Sequence, residues 1–207
     1  KQVIKVNPSS RVVSPKIPKR LPLFVEEDKM GMVFKNHPFS DDFSGTRDKL
    51  IMELFYSTGM RRSELINLKI SDINNNSVKV LGKGNKERII PITNSVLEIL
   101  KRYLKFRKEM KLDDTSILLL NDKGKIMSPG FVYNKVIYYL GRVTSMKKKS
   151  PHIIRHTFAT HMLNHGADIN AIKELLGHSS LAATQVYTHN SIEKLKNIYT
   201  NAHPLAG

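Results

Sequence analysis

With 207 residues, 40% of them hydrophobic, the chain is long enough for one domain with a substantial core. It has no apolar run of about 18 residues, the length a membrane span needs. The absence of cysteine excludes disulfides, thiolate nucleophiles and cysteine zinc sites, and agrees with a cytoplasmic location. Lysine and arginine number 34 against 18 acids, a net charge of +16, and such an excess calls for a polyanionic partner. Nucleic acid is the leading candidate, and a ribosome-type or anionic membrane surface is the plainer alternative.

Residues 1–23 hold Pro8, Pro15, Pro18 and Pro22, six basic residues and no acid, which predicts an extended basic linker. The first clear helix is expected from about Ser44 to Ser57, ended by Gly59, with Ser63 capping a short helix that carries Leu65 and Leu68. Ser77 to Leu81 and Glu87 to Ile92 read as strands of a hairpin with a basic tip at Gly82-Lys83-Gly84-Asn85. A helix follows from about Asn94 to Met110, with Val96, Leu97, Leu100 and Leu104 inward. Ile117 to Leu120 is expected to be a third strand. Ser128-Pro129 and Ser150-Pro151 each combine an N-cap with proline at the first helical position. These predict helices to about Val143 and Gly166, with a further one ending at Gly177. Two short helices, near Leu181 to Val186 and Ile192 to Ala202, complete an α+β, mainly helical chain with a small three-stranded antiparallel sheet.

Five segments carry the chemistry: Thr58-Gly-Met-Arg-Arg-Ser-Glu-Leu65, Gly82-Lys-Gly-Asn-Lys-Glu-Arg88, Ser150-Pro-His-Ile-Ile-Arg-His156, Leu175-Leu-Gly-His178 and Tyr187-Thr-His189. Taken singly, each has an ordinary explanation. Arginines at a helix edge are mostly solvated, a Gly-Lys-Gly turn lacks P-loop spacing, and a tyrosine is most often a core aromatic. His152, His156, His161 and His165 have no acid near them between Pro151 and Ala167, which argues against a metal site. Taken together they match what metal-free cleavage of a phosphodiester needs. Arginines pair the non-bridging oxygens as charge builds, a hydroxyl attacks, and a lysine or histidine protonates the leaving oxygen.

In this order, with His178 23 residues beyond Arg155 and Tyr187 nine further on, the segments resemble the tyrosine recombinase (phage-integrase-like) family. The hairpin, the run from Pro15 to Pro22 and the terminal His203-Pro204 resemble its Xer-type members. The resemblance implies a catalytic set of Arg61, Lys83, His152, Arg155, His178 and Tyr187, with no cofactor and no metal. Arg61 is favoured over Arg62 because it follows the Thr-Gly-x triplet. Glu64 is expected to orient it, and Tyr199 is the rival nucleophile. The implied activity is cutting and rejoining of double-stranded DNA through a 3′-phosphotyrosyl link, in chromosome dimer resolution. Integration of a mobile element by the same chemistry is the alternative, and a non-cutting DNA-binding protein is the alternative of another class. The expected partners are DNA, a homo- or hetero-tetramer on paired sites and, as a candidate activator, a DNA translocase, with no membrane. Residues 24–207 would form the catalytic domain, without the N-terminal DNA-clamping domain of full-length relatives. The apolar stripe Ile192, Leu195 and Ile198 would be buried on its own domain or on an adjacent protomer. With exchange between protomers, deletion from Ser191 onward would leave the fold largely intact.

Overall fold

The computed structural model describes residues 23–35, 39–74, 76–82, 86–111, 115–177 and 189–205, with side chains of the last helix described from residue 195. Among the described residues the order is α1 (Glu27–Lys35), α2 (Phe43–Thr58), α3 (Arg62–Ile66), a 3-10 turn (Ile70–Asp72), β1 (Ile73–Asn74), β2 (Ser77–Leu81), β3 (Glu87–Pro91), α4 (Asn94–Glu109), α5 (Pro129–Gly141), α6 (Pro151–Asn164), α7 (Ile169–Leu176) and α8 (His189–Ala202). The strands form one antiparallel sheet in the order β1-β2-β3, with Ser77 opposite Pro91 and Leu81 opposite Glu87. No described helix is long and apolar enough to cross a membrane. The linker at residues 1–22 and the helix expected at 181–186 lie outside the described residues.

α2 is the axis of the molecule. Every residue except Ser44 and Lys49 is buried, and α4 and α6 pack against it. A helix buried all round must satisfy its polar side chains internally. Asp42 caps its first turn by accepting from the Gly45 N–H at 2.7 Å. Arg47, fully buried, donates to Asp48 at 2.8 Å and to Asp122 at 2.6 Å, while Tyr139 and Lys135 also reach Asp48. The helix ends at Gly59, whose φ of +60° is the left-handed conformation that glycine adopts without strain. A β-carbon there would also lie 2.6 Å from Phe158 and 2.7 Å from Leu176, so no other residue fits.

Three expectations need correction. The first described helix is α1, ahead of the one expected from Ser44; its Met30 and Val33 are buried. α3 is capped by Arg61 rather than Ser63, and Leu68 lies beyond its end. The third strand is Ile73–Asn74, paired with Val78 and Ser77, and not Ile117 to Leu120. In that apolar run Leu118 to Leu120 are buried and Ile117 partly so, but it makes only isolated bridges, Lys69 with Ile117 and Leu120 with Ile126. Its backbone groups go partly to the Leu68 carbonyl, which accepts from the Leu118 N–H at 2.7 Å, and partly to side chains. The Arg107 guanidinium donates to the carbonyls of Thr115, Ile117 and Leu118, and the Tyr103 hydroxyl accepts from the Leu120 N–H at 3.0 Å. With those groups occupied, no strand partner is needed.

α8 is longer than expected and packs on its own domain. Leu195, Tyr199 and Ala202 are buried, Ile198 is partly so, and the inward face follows 195, 199 and 202 rather than a three-residue step. His203 anchors its end. The imidazole is 4% exposed, donates from Nε2 to the Tyr56 carbonyl at 3.1 Å and accepts at Nδ1 from the Leu205 N–H at 3.1 Å. The bond accepted at Nδ1 requires the neutral ring, and burial pushes its pKa down to about 4.

Candidate active site

The Thr-Gly-Met-Arg segment is a helix end joined to a helix start. Thr58 Oγ1 donates to the Leu54 carbonyl at 2.6 Å and accepts from the Met60 N–H at 3.2 Å. Gly59 turns the chain, and Arg61 becomes the N-cap of α3. Glu64, three residues on, accepts from the Arg61 N–H at 2.6 Å and from Arg61 Nη1 at 2.9 Å. The carboxylate therefore caps the helix and holds the arginine's side chain, the orienting role expected of it.

The Ser-Pro-His-Ile-Ile-Arg segment opens α6. The Ser150 hydroxyl accepts from the Ile153 N–H, and Pro151 takes the first helical position. His152 is exposed and Arg155 is 7% exposed. Arg155 is held like a strut, with Nη1 donating to the Gly59 carbonyl and Nη2 to the Leu176 carbonyl, both at 2.7 Å. Arg61, His152 and Arg155 line one open cavity of about 240 Å³, with Ser63 and Tyr133 on its wall. Arg62 also reaches this cavity but is exposed, with Nη1 3.4 Å from the Pro129 carbonyl.

The C-terminus of α7 explains how arginines can be gathered here. The last carbonyls of a helix lack internal partners and form the negative end of its dipole. Three consecutive ones accept from three different arginines: Leu175 from Arg88 Nε at 2.8 Å, Leu176 from Arg155, and Gly177 from Arg61 Nη2 at 3.4 Å. Glu64 is the one carboxylate in direct contact with the cluster among the described residues, bound by Arg88 at 3.0 and 2.8 Å as well as by Arg61. Burial opposes its charge, but Arg88 and then Arg61 outweigh burial and hold its pKa below the usual carboxylate range. Positive charge still exceeds negative. Burial, with Arg61 and Arg88 adding to it, pushes Arg155 down to about 10. An anion in the cavity would relieve that repulsion.

Lys83, His178 and Tyr187 lie outside the described residues. The glycines before the first two are described, and both adjoin the cluster. A β-carbon on Gly82 would lie 3.4 Å from Arg88 Nη1, and one on Gly177 3.2 Å from it. Tyr199, the rival nucleophile, is elsewhere: it is 2% exposed, stacked on His203 at 4.9 Å, and burial raises its pKa. The residue that the motifs did not single out is Arg88. Its signal was strand alternation, since Arg88 is in phase with the core residue Ile90 and so points inward. Among the described residues no cluster of histidine and acidic side chains could hold a metal ion.

Residues 32–194 match the model of the phage integrase family. The chain is 43% identical over 211 residues to the tyrosine recombinase XerC of Thermodesulfovibrio yellowstonii, covering 98% of this chain and 69% of that one. It is 44% identical over 206 residues to XerC of Staphylococcus carnosus, covering 97% and 68%. Among solved structures, the XerA recombinase superposes with a TM-score of 0.68 at 31% identity, covering 93% of this chain and 67% of that one. The XerH site-specific recombinase bound to its difH substrate in a pre-cleavage complex gives 0.69 at 26%, covering 93% and 59%. With the arginine cluster and the mainly helical fold already in place, the chain belongs to the phage integrase family, as a site-specific tyrosine recombinase that cuts and rejoins DNA.

Proposed function

We propose that the cavity between α3 and α6 receives the scissile phosphate of duplex DNA and that Tyr187 is the nucleophile. Arg61 and Arg155 take the non-bridging oxygens, whose charge grows in the transition state. The tyrosine hydroxyl gives its proton to a histidine of the site, its oxygen forms a bond to phosphorus while the bond to the 5′ oxygen breaks, and Lys83 gives that oxygen a proton. His152 and His178 complete the hydrogen-bonding shell. A 3′-phosphotyrosyl link remains, and the 5′ hydroxyl of a partner strand reverses the step. One phosphodiester is exchanged for another, so the exchange needs neither ATP nor a metal.

The observation that carries this reading is the pair Arg61 and Arg155, brought with His152 to one cavity under an excess of positive charge. The relatives named XerC favour chromosome dimer resolution as the biological task, in the cytoplasm where the chromosome lies. A tetramer on paired sites, homo- or heteromeric, and activation by a DNA translocase belong to the same proposal. Tyr187→Phe removes the attacking oxygen and keeps the ring. On a nicked suicide substrate the parent chain should form a covalent protein–DNA adduct and the variant none, while both bind DNA. Undiminished adduct in the variant would assign the nucleophile elsewhere, and no adduct from either would favour a non-cutting DNA-binding protein.

A further inference from the structure

We infer that Arg88 is a positioning residue for strand cleavage, joining the hairpin, the Arg61 helix and the α7 terminus into one unit; this rests on the cleavage reading above. Arg88 lines neither the cavity that holds Arg61, His152 and Arg155 nor its larger neighbour beside the hairpin, and it is 4% exposed. It therefore acts through other residues rather than on the phosphate.

Its three kinds of donor go to two places. The forked Nη1 and Nη2 take both oxygens of Glu64, and Nε takes the Leu175 carbonyl. Glu64 passes this constraint to Arg61, and the α7 terminus passes it to Arg155 through the adjacent Leu176 carbonyl. The same guanidinium packs against Gly82 and Gly177, the residues immediately before Lys83 and His178. A side chain at Gly177 would press on it, and one at Gly82 would touch it. One planar group thus sits in contact with the flank or the holder of four of the six residues assigned to the chemistry. Lysine offers a single ammonium without the fork and cannot satisfy Glu64 and Leu175 together.

The test compares single-turnover cleavage by the full 207-residue chain, Arg155→Ala and Arg88→Lys on two suicide substrates. One has a normal scissile phosphodiester. The other has a methylphosphonate there, which replaces a charged non-bridging oxygen by methyl and so weakens the demand for well-placed arginines. Arg88→Lys should bind DNA as the parent does and cut the phosphodiester about 10²-fold more slowly, the scale of an ångström-sized misplacement. Its deficit should shrink on the methylphosphonate, as that of Arg155→Ala should. Because the ratio is taken between two substrates on one preparation, the fraction of folded protein cancels. Arg155→Ala cutting both substrates like the parent would remove the cleavage reading itself. An impaired Arg155→Ala beside an Arg88→Lys that cuts normally, or that slows both substrates equally, overturns the positioning role alone. So does failure of both Arg88→Lys and Arg88→Gln to melt cooperatively, which would make Arg88 a folding residue.

Discussion

Arg61 and Arg155 differ in how they are held, and the difference sets their tolerance of change. Arg155 is buried and spends two donors on backbone carbonyls from two helices, so its removal loosens the α2–α7 junction as well as removing a cation. Arg61 is half-buried and held by the Glu64 carboxylate, with a longer contact to the Gly177 carbonyl. Arg61→Ala and Arg155→Ala should each slow cleavage by at least ~10²-fold, the scale for losing one transition-state donor. Arg62→Ala should cost less, because that side chain sits at the exposed rim. Single-turnover rates check the ranking, and a larger loss at Arg62 than at Arg61 would reverse the assignment. His203 offers a separate prediction. Its folded pKa of about 4 lies below the unfolded value of 6.5, so between these pH values the unfolded chain binds more protons. Stability is therefore greatest above the upper value, falls as pH drops, and levels off below the lower one, by up to about 3 kcal/mol. Urea melts from pH 7 to pH 4 should show that slope. His203→Gln should remove its own share of the slope and leave that of His161, whose pKa burial also lowers.

At the scale of elements, α8 is where the structure changes an expectation. A stripe free to move to a neighbour would predict little effect of truncation at Ser191. Instead Leu195, Tyr199, Ala202 and His203 are built into the core of their own domain, against α6 and the sheet. Deleting residues 191–207 should destabilise the chain by at least about 4 kcal/mol, since loss of even one large buried side chain costs 2–5 kcal/mol. Chemical denaturation measures it, and a truncated chain of unchanged midpoint would show that the cis packing contributes nothing. The hairpin shows the opposite case. Its strand limits were legible within a residue, because alternation and the Gly-Lys-Gly-Asn turn are local signals. The missing third strand was not legible. Whether Ile117 to Leu120 pairs as a strand depends on Arg107 and Tyr103, which stand on α4 and reach it only after folding.

For the whole molecule, the +16 charge and the arginine cluster point the same way at different ranges. On the proposed reading, the surface excess draws in a polyanion and the excess at the cavity favours one that can place a phosphate there. Binding to duplex DNA should weaken steeply with salt, log K falling by about 0.9 for each log unit of salt per phosphate contact. Titrations across a range of salt concentrations give the slope directly, and a flat response would contradict an electrostatic footprint. The order of the motif residues and the capping signals at Gly59 and Ser150-Pro151 were readable along the chain, whereas the cap of the Arg61 helix was expected two residues late, at Ser63. Each is a local property, fixed by side-chain chemistry and helix period. What the linear pattern could not show is that Arg88, Arg155 and Arg61 meet three successive carbonyls of one helix end, or that Glu64 answers two of them. Those contacts join residues separated by up to 116 positions, and they exist only because α2, β3, α6 and α7 pack so that a helix terminus and one carboxylate offset the repulsion of three clustered cations.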